Sequence, residues 1–154
     1  MKNAEKILRQ YTVSVWEKAY SSVPKGIPEL LNALTKRKLK MTVLSNKPQE
    51  FTVLTVDHLL QNWSFDVILG QRRVCLKNLT LRGCWKFVSG FRVSPEDFLY
   101  LGDTATDMKT AVAAGCFPVG VLWGFRTGIE LKDNGAQTII KKPFGCAGSI
   151  RLIN

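Results

Sequence analysis

Residues 98–107 read Phe-Leu-Tyr-Leu-Gly-Asp-Thr-Ala-Thr-Asp, an apolar run, a glycine, and two carboxylates four positions apart. The run predicts a short buried strand over Phe98–Leu101, ended by Gly102, which is expected to let the backbone turn sharply. Thr106–Ala114 is rich in alanine and predicts a helix, closed by Gly115. Asp103 is then expected at the strand end and Asp107 in the first turn of the helix. Both can point at one place above a sheet.

Working outward, Pro118–Trp123 predicts the next strand and Thr138–Ile140 a further one. On the N-terminal side, Met41–Leu44 predicts a buried strand that stops at a turn, Ser45-Asn46-Lys47-Pro48. Pro48 starts a helix carrying Phe51, Leu54, Leu59 and Leu60, and Phe65–Leu69 predicts a strand ended by Gly70. Upstream, a helix runs from Pro28 to about Lys38 with Leu30, Leu31 and Leu34 on one face. Residues 4–20 carry Ile7, Leu8, Tyr11, Val15 and Tyr20 at helical spacing and predict another. Short apolar strands alternating with helices predict an α/β fold, a Rossmann-like parallel sheet with flanking helices. In such sheets ligands bind beyond the carboxyl ends of the strands. The two most polar strand ends are Ser45-Asn46-Lys47 and Asp103–Asp107.

The length of 154 residues fits one domain, and an apolar fraction of 45% with 10% aromatics is globular. No apolar run reaches the roughly 18 residues of a membrane span, and the charged N-terminus lacks the apolar core of a signal peptide. A cytoplasmic protein with no membrane partner is expected. The cysteines Cys75, Cys84, Cys116 and Cys146 form no C-x-x-C pair, and His58 is the single histidine. A zinc site therefore lacks ligands, and free thiols are expected. His58 reads as an ordinary packed or surface residue.

The net charge of +10 is local. Between Asp66 and Glu96 there is no acid, but there are Arg72, Arg73, Lys77, Arg82, Lys86 and Arg92. After Asp133 there is again none, but there are Lys141, Lys142 and Arg151. The rest of the chain is close to neutral.

Paired hard oxygens at Asp103 and Asp107 suit Mg²⁺, which takes one or two carboxylates together with water and substrate phosphate. The bland alternative is that Asp103 caps the helix and Asp107 complements its dipole. Ser45 and Asn46, at a strand end before a helix, can donate to a phosphate oxygen, or simply form a capped turn. Lys77, a few loop residues beyond Gly70, can neutralise a phosphoryl oxygen, or lie on the surface. Arg126, after the Pro118–Trp123 strand, can approach a substrate anion or serve the surface.

In this order and on successive strands, these residues resemble the haloacid dehalogenase-like (HAD) superfamily, of the bacterial phosphoglycolate phosphatase type. The likeness rests on GIPELLNALTKRKLKMTVLSNKPQEFT, WSFDVILGQR and VSPEDFLYLGDTATDMKTAVAAGCFPVGVLWGFRT, about two thirds of the chain. The resemblance implies that Ser45 is the phosphate-binding hydroxyl with Asn46 beside it, Lys77 the catalytic lysine, and Asp103 and Asp107 the acids around Mg²⁺. It also implies a small phosphorylated metabolite as substrate, with phosphoryl transfer to an aspartate and then hydrolysis.

The sequence departs from that pattern in two ways. The family nucleophile and general acid sit in an upstream D-x-D, and no D-x-D occurs in these 154 residues. Residues 1–22 resemble the last helix of a helical cap, so the first strand and most of the cap are expected to be absent, leaving residues 23–154 as core. Without the nucleophile, the expected activity of this polypeptide is at most non-catalytic binding of phosphate or a partner. The two strands beside the absent one would expose apolar edges, so poor solubility or self-association is expected. Second, residues 78–92 and 141–154 are acid-free and bear cysteines where the relatives place Pro-Asp-Pro and amphipathic helices. They read as local frame slips or gene decay. The competing reading is a basic-aromatic patch for RNA or single-stranded DNA.

Overall fold

The structure, a computed structural model, describes residues 23–71 and 94–143. The helix expected at 4–20, Lys77, and most of the two acid-free stretches lie outside the described residues.

In chain order the elements are α1 (Ile27–Lys36), β1 (Thr42–Pro48), α2 (Gln49–Leu59), β2 (Val67–Gln71), a 3₁₀ turn (Pro95–Asp97), β3 (Leu99–Gly102), α3 (Ala105–Ala113), β4 (Phe117–Val121), α4 (Gly128–Asp133) and β5 (Thr138–Ile140). Every strand pairing is parallel. Among the described residues, β1 pairs with β2, and β3, β4 and β5 form a second sheet in that order. The parallel α/β architecture with flanking helices is thus the one the alternating pattern predicts.

Alternation along the strands sorts the core into two layers. Leu99, Phe117, Val119 and Ile140 pack with Leu30 and Leu34 of α1. On the other side, Phe98 and Tyr100 pack with Ala111, Ala114 and Cys116, and Leu44 of β1 joins them. Ile139 packs with Met108 of α3 and with Leu131 of α4, both fully buried. Gly120 in β4 lets α4 approach: a Cβ there would sit 2.6 Å from Ile139 and 3.1 Å from Leu131. Helix α4 was not expected from the sequence; it is short, and Thr127 caps it by accepting the Glu130 N–H.

Two strand ends differ from expectation. β1 does not stop at Leu44 but continues to Pro48, with an irregular register between Leu44 and Pro48. β2 runs through Gly70 to Gln71. Here the Gln49 side chain also holds β2: its Nε2 donates to the Ile68 carbonyl at 3.0 Å, and its Oε1 accepts the Gly70 N–H at 2.7 Å. The amide thus satisfies two backbone groups of that strand. Gly70 is required sterically, because a Cβ would meet the Lys47 carbonyl, Gln49 Cα and the Thr52 hydroxyl.

β4 ends at Val121, so Trp123 belongs to the loop that follows. Gly115 has φ +72°, the left-handed conformation expected of a residue closing α3.

Candidate active site

The carboxyl ends of β1 and β3 face one open cleft of about 450 Å³. Leu44, Ser45, Asn46 and Lys47 line it from β1, and Tyr100, Asp103, Thr104 and Asp107 from β3 and the start of α3, with Phe125 at the side. Of the residues singled out in the sequence, the structure therefore brings Ser45, Asn46, Asp103 and Asp107 together. Lys77 lies outside the described residues. Lys47, Tyr100, Thr104 and Phe125 were not singled out as site residues. Lys47 and Thr104 adjoin residues that were, but only the fold shows that Tyr100 and Phe125 face the same space.

Ser45 is half-buried, and its Oγ accepts the Lys47 N–H at 3.2 Å. This short turn fixes the oxygen while leaving the hydroxyl proton to donate toward the cleft. Asn46 is exposed and lines the cleft.

The two acids have different surroundings. Asp107 stands at the third position of α3, where one oxygen, Oδ2, accepts from Asp103 N (3.1 Å), Thr104 N (3.0 Å) and Thr104 Oγ1 (2.8 Å). The Thr104 hydroxyl in turn accepts the Asp107 N–H at 3.3 Å, completing a capping box. The residue that caps α3 is thus Thr104, not Asp103. Asp103 makes one bond of this kind: Oδ2 accepts the Phe125 N–H at 2.9 Å, from the loop after β4. Its second oxygen has no partner among the described residues.

Among the described residues the positive-φ glycines are Gly26, Gly115 and Gly135, so a positive φ is not what calls for Gly102. Its reason is steric: a Cβ at position 102 would strike the Asp107 side chain and come within 3.0 Å of Met108 Cε. The Arg126 Nε lies 3.8 Å from Glu130 of α4. His58 is exposed on α2.

Hard carboxylate oxygens without sulfur or imidazole form a donor set that fits Mg²⁺ and not a softer metal. No cluster of three or more His, Cys, Asp or Glu side chains exists among the described residues.

A parallel α/β sheet with a hydroxyl, an amide and two acids lining one cleft defines a Rossmann-like domain. The chain belongs to the haloacid dehalogenase-like hydrolase family, whose profile matches residues 1–121. It is similar to the phosphoglycolate phosphatase of Photorhabdus laumondii, with 31% identity over 71% of this chain and 47% of that protein. It is also similar to the phosphoglycolate phosphatase of Salmonella choleraesuis, with 29% identity over 66% of this chain and 40% of that protein. The chain spans about half the length of the curated relatives it matches. Among solved structures, a haloacid dehalogenase-like family hydrolase from Streptococcus pneumoniae superposes with a TM-score of 0.77 at 21% identity, covering 96% of this chain and 69% of that one. A β-phosphoglucomutase from Clostridium difficile does so with a TM-score of 0.73 at 20% identity, covering 94% and 62%. These likenesses establish the fold.

Proposed function

We propose that this chain carries the phosphate- and magnesium-holding part of a phosphomonoesterase site for a small phosphorylated metabolite of the phosphoglycolate class. The observation that supports this reading most directly is the convergence of Ser45, Asn46, Asp103 and Asp107 on one cleft at the carboxyl ends of β1 and β3. The substrate class rests on the phosphoglycolate phosphatases among its relatives.

In this reading the Ser45 hydroxyl and the Asn46 amide donate to phosphate oxygens, and Lys77 neutralises a third. Asp103 holds the cation through the oxygen that Phe125 does not occupy. Asp107 keeps the Asp103–Thr104 peptide groups in place. The bound ion would supply charge neutralisation at the phosphoryl group. The family route also needs a carboxylate to attack phosphorus, and these 154 residues contain no D-x-D to provide one. We therefore propose that the polypeptide binds phosphate and Mg²⁺ but does not turn over a phosphate ester by itself.

The apolar lining of the same cleft supports a second element of the proposal. β1 and β3 each have one strand partner among the described residues, and their facing sides share Leu44 and Tyr100. Such edges favour pairing with another copy of the chain.

A colorimetric phosphatase assay with and without Mg²⁺, on the wild type and on Asp103→Asn, tests the reading. The expected result is no turnover, with phosphate and Mg²⁺ binding that Asp103→Asn weakens. Magnesium-dependent turnover abolished by that substitution would overturn the inactivity. Wild-type protein that binds neither phosphate nor Mg²⁺ would overturn the site.

A further inference from the structure

We infer that Gly124 and Phe125 are positioning residues for Asp103: together they form a seat that fixes one carboxylate oxygen and leaves the other to a ligand in the cleft. Two contacts carry the inference. The Phe125 N–H donates to Asp103 Oδ2 at 2.9 Å across 22 residues of sequence. One residue earlier, a Cβ on Gly124 would collide with Asp103 at Oδ2, Cγ and Cβ.

The collision with Cβ is the informative one. Rotating the Asp103 side chain moves Oδ2 and Cγ but leaves Cβ where the backbone holds it. A side chain at 124 therefore cannot be accommodated by a new rotamer of Asp103. The loop after β4 must retreat, and the Phe125 N–H leaves the carboxylate with it. Gly124 does not have the left-handed φ of Gly26, Gly115 or Gly135, so the need for glycine is the approach to Asp103 and not backbone freedom. Phe125 itself is 88% exposed, so its side chain contributes little to the core, and its main-chain donor is the part that matters.

The ligand half of this inference rests on the proposed magnesium reading, and the seat itself does not. The experiment separates the two. Mg²⁺ alone is titrated calorimetrically into the full chain, and unfolding midpoints are measured in parallel, for wild type, Gly124→Ala, Asp103→Gly and the double variant. The expected result is a Mg²⁺ dissociation constant raised at least tenfold by Gly124→Ala. The midpoint shift caused by Gly124→Ala should fall by at least half in the Asp103→Gly background, where the obstructing Cβ is gone. An equal midpoint shift in both backgrounds would overturn the seat. So would a Gly124→Ala protein that is folded and binds Mg²⁺ as wild type does. Wild-type protein without Mg²⁺ affinity would overturn the ligand half and the proposed function, while the coupling of midpoints still decides the seat. Phe125→Pro provides an arm for the case that Gly124→Ala does not fold. It removes the donor without adding a side chain at 124, and it should raise the dissociation constant several-fold; an unchanged value overturns the seat.

Discussion

Thr104 and Asp107 satisfy each other's hydrogen-bonding groups at the start of α3. The threonine hydroxyl and N–H donate to Asp107 Oδ2 at 2.8 and 3.0 Å, and the Asp107 N–H reaches back to the hydroxyl at 3.3 Å. With Asp103 N also bound, one carboxylate oxygen serves three donors. Asp107 is thereby committed to the local fold more heavily than Asp103.

Asp107→Ala should lower stability by about 1–2 kcal/mol, the usual effect of losing a cap and stranding partly buried donors. Asp107→Asn, which keeps an acceptor, should cost less. Urea unfolding of both variants checks the order, and equal losses would contradict the capping assignment.

Asp103→Asn should behave the opposite way. Its amide oxygen can still accept the Phe125 N–H, so stability should change by less than about 0.5 kcal/mol. Mg²⁺ affinity should fall at least tenfold, about 1.4 kcal/mol. Calorimetric titration beside a denaturation curve measures both; a large stability loss with unchanged affinity would reverse the roles given to the two acids.

Gln49→Ala removes both side-chain bonds to the β2 backbone, at Ile68 and Gly70. The expected loss is about 1–2 kcal/mol. Hydrogen exchange should localise it, because the Gly70 amide loses the Gln49 acceptor. Undiminished protection at Gly70 would show that Gln49 is not the bridge.

Leu131→Ala should be the most damaging of these substitutions, at about 2–5 kcal/mol. Leu131 has no exposed surface and packs between Met108, Ala136 and Ile139 over Gly120. Thermal or chemical unfolding checks it. A loss below about 1 kcal/mol would mean that α4 is dispensable to the core.

The sides of β1 and β3 that have no strand partner among the described residues carry the proposed self-association, which should depend on concentration. Sedimentation velocity over a range of loading concentrations should show a rising mean coefficient. A sharp monomer at every concentration would refute it.

The parallel α/β order was legible because each strand is a short apolar run bounded by turn residues and each helix carries its own periodicity. Thr138–Ile140 was placed to the residue, and Leu30, Leu31 and Leu34 fell on one apolar side of α1. Asp103 was legible as a strand end because it directly follows an apolar run, whereas Ser45 and Asn46 lie inside a strand that the sequence ended at Leu44. Helix α4 was not legible, because Gly128–Asp133 is too short to show a period and is held by Leu131 packing onto Gly120.

The sequence by itself determined the alternation of strands and helices, and hence which polar residues stand at strand ends, since burial periodicity and turn chemistry act over a few neighbouring residues. Only the tertiary structure decided what the glycines and the amide at those ends are for. Gly102 and Gly124 admit carboxylates, and Gln49 holds two backbone groups of β2, through contacts with partners 5, 21 and 19–21 residues away. Local sequence carries no record of such partners, because the contacts form only when β1, β2, β3 and the loop after β4 are brought side by side.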